Sequence, residues 1–245
     1  TSKVGIQRDP NRPVNNDPAY IRTELEGTLQ RLGVDYIDLY YLHRRDEAVP
    51  LEDAIETLVD LMNEGKIGGY GLSEVAPYTL RLAQDIHPCL AVQSEYSLWT
   101  RQPELGMIQA CRNLGVAFVP FSPLARGVFG QTYPDIQAMA KTDFRAAIPR
   151  FQPENYARNI AVIDHFKTYA ADRGLTVSAL AMAWVLNRGD HLIPIPGTRT
   201  AEHLAEWAKS DQIKLSQSDM NEIDAILPVG FAYGDRYSHA QSRTA

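Results

Sequence analysis

Short apolar runs alternate with longer amphipathic segments along the chain. The opening run TSKVGI reads as a strand. DPAYIRTELEGTLQRLG follows as a helix: Ile21, Leu25, Leu29 and Leu32 recur at helical spacing, and Gly33 supplies a stop. YIDLYYLH is strand-like. LEDAIETLVDLMNEGK predicts a helix with Ile55, Leu58, Val59 and Met62 on one face, ended by Gly65. IGGYGLS predicts a strand, APYTLRLAQDI a helix, LAVQSEYS a strand, and QPELGMIQACRNLG a helix closed by Gly115. VAFVPFSPLARG reads as a strand running into a loop. A polar, proline-containing connection then occupies about 127–154. Beyond it, NYARNIAVIDHFKTYAADRG and TVSALAMAWVLNRG predict helices, HLIPIPG a strand, and TAEHLAEWAKS and SQSDMNEIDAIL two more helices. The tail PVGFAYGDRYSHAQSRTA is loop-like.

The strand runs are apolar on both faces, as expected when helices or packed side chains cover each side. Regular alternation of strand and helix predicts a parallel α/β fold. No GxGxxG follows the first strand, so a dinucleotide-binding Rossmann unit would lack its phosphate fingerprint. A single β/α barrel domain over 1–245 is the better reading, and such barrels carry their chemistry at the C-terminal ends of the strands. Those ends are polar here: Lys3 near the first, His43 on the second, Ser73 and Glu74 on the third. Gln93 and Glu95 lie in the fourth, Ser122 ends the fifth, and Gly197, Thr198 and Arg199 end the sixth. The run YIDLYYLHRRD thus finishes on a histidine where a barrel would place a site, either as a site residue or as a core histidine satisfied by backbone. Asp38, five residues earlier, has the opposite side-chain parity and would support the site or bond backbone.

Composition narrows the partners. The 245 residues carry a net charge of −6, with 44% hydrophobic and 22% charged residues, ordinary for a globular protein. No Lys/Arg cluster tracks a helix or loop, which argues against nucleic acid. Cys89 and Cys111 belong to no CxxC motif and lie beside no plausible metal ligands, so the expectation is two reduced, buried thiols and no metal. No apolar run approaches the ~18 residues of a membrane span, and the N-terminus lacks a signal-peptide pattern. A soluble, cytoplasmic protein is expected.

The stretches LGVDYIDLYYLHRRD, GKIGGYGLSE, VQSEYSLW, VPFSPLARGVFG and IPIPGTRTAEHL, in this order, resemble the aldo-keto reductases. They are most similar to the branch with pyridoxal and perakine reductases. The resemblance spans essentially the whole chain. It implies an eight-stranded (β/α)8 barrel that binds NADPH and passes a hydride to an aldehyde or ketone. The family's catalytic set is Tyr, Lys, His and Asp: tyrosine protonates the carbonyl oxygen, lysine lowers the tyrosine pKa, aspartate pairs with the lysine, and histidine orients the carbonyl. Lys3 and His43 match the lysine and histidine. The aspartate and tyrosine come from a segment like D-T-A-x-x-Y-G upstream of the lysine strand, and the Tyr-Gly pairs at Tyr70 and Tyr233 do not follow that pattern. The six predicted strands leave the barrel's first pair missing. An N-terminally incomplete reductase is expected, against a natural short protein without activity or an unrelated proton donor.

The resemblance also implies the cofactor residues. Ser73 and Gln93 would hold the nicotinamide carboxamide, and Phe121 would stack on the ring. Ser122, Pro123, Leu124, Arg126 and Gly127 correspond to the loop around the pyrophosphate, with backbone N–H groups of Leu124 and Gly127 and the charge of Arg126. Gly197, Thr198, Arg199 and Thr200 open a helix that would receive the 2′-phosphate. His203 stands where several members have arginine and Trp207 where they have asparagine; a neutral histidine is the weaker phosphate partner, whereas Trp207 would cover the adenine. Tyr96, Trp99, Phe129 and Phe231 are candidates for an apolar substrate pocket or for packing. The expected partner is a small carbonyl substrate, with no oligomeric state assigned. A cofactor-binding, non-catalytic regulatory protein, as in potassium-channel β-subunits, is the second reading. A metal-dependent hydrolase is weaker, since it would need clustered ligands where only His43 stands.

Overall fold

The computed structural model describes residues 1–7, 9 and 11–242. They form two compact units. The first comprises Thr1–Ser94 and Gly106–Val119; the second comprises Glu95–Leu105 and Pro120–Ser242.

In the first unit, β1 (Ser2–Val4), β2 (Tyr40–Leu42), β3 (Tyr70–Ser73) and β4 (Ala91–Glu95) lie in sequence order, with β5 (Ala117–Phe121) next in the same sheet. The first four pair in parallel: Lys3 opposes Tyr41, Tyr41 opposes Gly71, Gly71 opposes Ala91, and Ser73 opposes Gln93. Helices α1 (Pro18–Leu32), α2 (Leu51–Asn63), α3 (Pro77–Ile86) and α4 (Met107–Leu114) join the strands. That is the strand–helix alternation expected from sequence.

Each helix follows its apolar spacing. In α1, proline begins the helix, Ile21, Leu25 and Leu29 are buried, and Gly33 closes it in the left-handed conformation at φ 66°. Leu32, expected on the buried stripe, lies on the same face but is exposed at the last residue of the helix. In α2 the buried stripe runs Leu51, Ala54, Ile55, Leu58 and Leu61, with Glu52 and Asp53 in the first turn facing the positive end of the dipole. Val59 and Met62, expected on that stripe, are half-buried at its border. The helix expected over QPELGMIQACRNLG is interrupted: Gln102–Leu105 forms a 3-10 turn, and Gly106 at φ 145° separates it from α4.

Side chains alternate across the sheet. Val4, Leu42, Leu72 and Val92 form one buried apolar row. Tyr70, of the same parity, donates its hydroxyl to the Ala83 and His87 carbonyls at the end of α3, at 3.2 and 2.7 Å. The opposite face holds a small apolar cluster of Tyr41, Ala91 and Val119, with Leu39 and Ala117 against it. Lys3, His43, Ser73 and Gln93 share that face by period two.

In the second unit, α5 (Pro153–Asp172), α6 (Val177–Leu186), α7 (Ala201–Trp207) and α8 (Gln217–Ile226) follow a connection that contains 3-10 turns at Phe144–Ala147 and Pro149–Phe151. Helix α6 is buried almost all round, as its unbroken apolar run dictates. The sixth predicted strand, HLIPIPG, forms no extended strand: Leu192 and Ile195 are single bridge residues, and Ile195 pairs in parallel with Phe121, with the Ile195 N–H on the Pro120 carbonyl at 2.9 Å. Pro194 and Pro196 flank that bridge and offer no N–H for a ladder. The tail docks on α5, where fully buried Asn159 bonds both the N–H and the carbonyl of Tyr233, at 2.7 and 3.0 Å. A last short helix, α9 (His239–Ser242), follows; residues 243–245 of the tail lie outside the described residues.

Gly71 is set by a close approach. A Cβ there would meet Tyr41 Cε1 at 2.4 Å and the Ala91 carbonyl oxygen at 2.9 Å. Gly71→Ala is expected to cost about 1–3 kcal/mol by overpacking, read as a lower urea midpoint at unchanged m-value. An unchanged midpoint would mean that the Tyr41 ring does not lie across this glycine.

Candidate active site

Three strand ends of the first unit meet in one polar layer. Lys3 lies on β1, His43 directly follows β2, and Ser73 ends β3 opposite Gln93 on β4. The His43 N–H bonds the Val4 carbonyl at 2.7 Å, and the Glu74 N–H bonds the Gln93 carbonyl at 3.0 Å. These bonds continue the ladder one residue past each strand and fix the turns carrying the side chains.

Arg44 is the charge next to that layer. It is buried, and its Nη1 donates to the His43 carbonyl at 2.7 Å and to Ser73 Oγ at 3.3 Å. The following loop is pinned from the other side. Asp46 N–H donates to Asn16 Oδ1 at 2.7 Å, and Arg12 Nη2 donates to Asp46 Oδ2 at 2.9 Å.

Burial lowers the Lys3 pKa, and Arg44 lowers it further. His43 is pushed down to about 4, first by burial, then by Arg44 and Lys3. At neutral pH the imidazole is therefore uncharged and presents one N–H donor and one acceptor. A neutral ring orients a carbonyl through its N–H. Lys3 supplies positive charge in a poorly solvated place, where charge acts strongly on a developing alkoxide or on a neighbouring acid.

The second unit holds a cavity of about 1040 Å³. One wall is the turn after β5. Ser122, Ala125 and Arg126 there have φ of 51°, 50° and 57°, a left-handed course rare for residues with side chains. Phe121, Ser122, Pro123, Leu124, Arg126 and Gly127 all line the cavity. Gly197, Thr198 and Arg199 line it from beyond the Ile195 bridge, and His203 and Trp207 from α7. The connection after Gly127 adds Tyr133, Asp143 and Arg145. Asp143 and Arg145 are paired at 2.7 Å, and Arg145 Nη1 donates to the Arg126 carbonyl at 3.1 Å, tying the connection to the turn. That arginine holds the Asp143 carboxyl at about 2.

Several expected roles meet a different geometry. The Arg126 guanidinium is engaged: its Nη2 bonds buried Glu95 at 2.6 Å, and it lies over both the Phe144 and Tyr237 rings, at 5.2 and 5.3 Å from their centroids. The Gly127 N–H donates to the Leu124 carbonyl at 3.0 Å, so that amide closes the turn. Thr200 does not line the cavity; its Oγ1 caps α7 by accepting from the His203 N–H at 3.2 Å. Asp38 lies in an exposed bend before β2, outside the strand and the polar layer. Tyr96, Trp99 and Phe129 are core residues: Tyr96 packs on Trp184, Trp99 on Phe151, and Phe129 on Phe166. Both cysteines are buried and free, as expected. Among the described residues no His/Cys/Asp/Glu group is arranged to hold a metal, and no helix is long and apolar enough to cross a membrane.

Sequence reasoning missed Arg44 and Tyr41. The charge burst HRRD signalled Arg44, but nothing marked it as buried. Tyr41 read as one more apolar strand position.

The parallel α/β sheet with polar strand ends is compatible with the β/α barrel expected from the sequence. The Aldo/keto reductase family model matches residues 1–228, and the chain belongs to that family. The probable aldo-keto reductase 1 of Glycine max is 41% identical over 228 residues, covering 93% of this chain and 66% of that protein. The glycerol dehydrogenase of Gluconobacter oxydans superposes with a TM-score of 0.81 at 28% identity, over 92% of this chain and 70% of that one. A thermostable aldo-keto reductase in complex with the inhibitor epalrestat gives 0.68 at 26% identity, over 86% and 67%. The chain spans just under two thirds of the curated relative's length.

The His43 shift links folding to pH. The unfolded ring titrates near 6.5 and the folded ring at about 4. The unfolded chain therefore binds more protons between those values, and stability falls as pH drops through that window. His43→Gln removes this term, so its urea midpoint should decline less than wild type between pH 7 and pH 4.5. Parallel declines would contradict a half-buried, neutral His43.

Proposed function

We propose that the protein is an NADPH-dependent reductase of aldehydes or ketones, with Lys3 and His43 in its catalytic set. The observation that carries this reading is the polar layer itself. A cationic lysine of lowered pKa and a neutral histidine share one face of a parallel sheet, beside a buried serine and glutamine able to grip a carboxamide. NADPH, when bound, supplies the hydride that reduces the carbonyl carbon.

The remaining work falls to the chain. His43 donates its N–H to the carbonyl oxygen and sets its direction. Lys3 stabilises the negative charge that grows there and lowers the pKa of the proton-donating acid. Ser73 and Gln93 hold the nicotinamide carboxamide, and Phe121 offers a ring face.

Taken by itself, the cavity of the second unit has the chemistry to hold phosphate groups and an adenine. Its walls combine hydroxyls at Ser122 and Thr198, an exposed guanidinium at Arg199, and the Trp207 indole. Arg126 acts there through structure, holding the turn against Glu95, while Arg199 meets the 2′-phosphate with His203 as a weaker neighbour. Aromatic or pyridine-type aldehydes are the proposed substrates, from likeness to the pyridoxal and perakine reductase branch. The glycerol dehydrogenase among the structural neighbours carries a name of the same reaction class. A cytoplasmic location accompanies this reading.

The test is cofactor binding, followed by quenching of protein fluorescence. NADPH should bind more tightly than NADH. Arg199→Ala should erase about tenfold of that preference, the scale of one charge-assisted contact. Equal affinity for both cofactors in wild type would refute the NADPH assignment. Failure to bind either would refute the reductase reading.

A further inference from the structure

Arg44 has no part in the chemistry above, yet it bonds two of the residues that do. It directly follows His43 and is 8% exposed. One nitrogen, Nη1, donates both to the His43 carbonyl at 2.7 Å and to Ser73 Oγ at 3.3 Å. The guanidinium therefore bridges from the turn after β2 to the end of β3.

The backbone beneath it is held in place. Gly5, just past β1, packs on it: a Cβ there would come within 3.4 Å of the Arg44 carbonyl oxygen and 2.9 Å of Asn16 Nδ2. Two residues further on, Asp46 donates its N–H to Asn16 Oδ1 at 2.7 Å. The Arg44 side chain thus leaves a fixed turn toward β3. Ser73, its target, is 1% exposed and stands opposite Gln93 in the parallel register.

A hydroxyl can accept or donate, whereas a guanidinium can only donate. The direction of their contact follows: Ser73 Oγ accepts from Arg44 and keeps its own hydrogen to give to another group. A serine held in that sense offers a donor, which suits the C=O end of a carboxamide. We propose that Arg44 is a positioning residue that sets the Ser73 hydroxyl as a hydrogen-bond donor, so that Ser73 grips a nicotinamide carboxamide by its C=O. The proposal rests on the reading that Ser73 receives that carboxamide.

Calorimetry on the full chain tests this with three ligands. They are NADPH, its reduced 3-acetylpyridine analogue, which keeps the C=O and lacks the NH2, and 2′-phosphoadenosine 5′-diphosphoribose, which lacks the ring. Both dinucleotides are used reduced, with an uncharged ring, so that loss of the Arg44 cation does not itself change their affinity. Ser73→Ala should weaken NADPH and the analogue alike, about five- to tenfold, the scale of one buried hydrogen bond, and leave the diphosphoribose within about twofold. Arg44→Met should weaken the same two ligands about two- to fivefold, and should add nothing in a Ser73→Ala background, because the two residues act through one contact. A Ser73→Ala loss confined to NADPH would make the serine an acceptor from the NH2 and overturn the proposal. That comparison needs no change at Arg44, so it decides even where Arg44→Met does not fold. Arg44→Met binding all three ligands as wild type does, or weakening all three equally, would overturn the positioning role. Ser73→Ala leaving all three unchanged would remove the carboxamide reading of Ser73, and this proposal with it.

Discussion

Parallel register is the constraint on which the site depends. Lys3, Tyr41, Gly71 and Ala91 stand abreast across four strands, and His43, Ser73 and Gln93 occupy the next layer on the same face. A slip of one residue in any strand would turn its polar side chain toward the helices and bring an apolar one inward. Burial of Val4, Leu42, Leu72 and Val92 on the opposite face makes that slip costly. Apolar packing on one side thus holds the chemistry on the other.

The layer is electrostatically tense by construction. Lys3 and Arg44 are two cations beside one imidazole, and both disfavour its protonation. Burial disfavours it more. The arrangement keeps His43 a neutral hydrogen-bonding group and leaves Lys3 less firmly protonated than a solvated lysine. In the second unit the pattern is reversed. Arg126 is neutralised by Glu95 and lies over two aromatic rings, and Arg145 is neutralised by Asp143, so these arginines act as structural ties between loops.

Much of this was legible in the sequence. Strand ends placed Lys3, His43, Ser73 and Gln93, because period two and a short apolar run determine which residue emerges at a strand's end. Helix stops at Gly33 and Gly115 were legible for the same local reason: both adopt the left-handed conformation glycine tolerates. Partnership was not legible. Whether Arg126 faces a phosphate or a carboxylate depends on Glu95, 31 residues away, and on two aromatic residues from distant loops. Leu32 keeps the helical spacing but is the last residue of its helix and is exposed there, and spacing alone carries no signal of where the packing stops. HLIPIPG failed as a strand because its prolines leave too few donors for a ladder.

The account stands most directly on the claim that Lys3 and His43 act on one another across the β1–β2 pair. The decisive measurement is the His43 pKa by NMR, in wild type and in Lys3→Met. Wild type should titrate at about 4. Removing the neighbouring ammonium should raise that value, while burial and Arg44, the larger causes, continue to hold it below the ordinary 6.5 of a free imidazole. A His43 that already titrates near 6.5, or one indifferent to Lys3, would contradict the account.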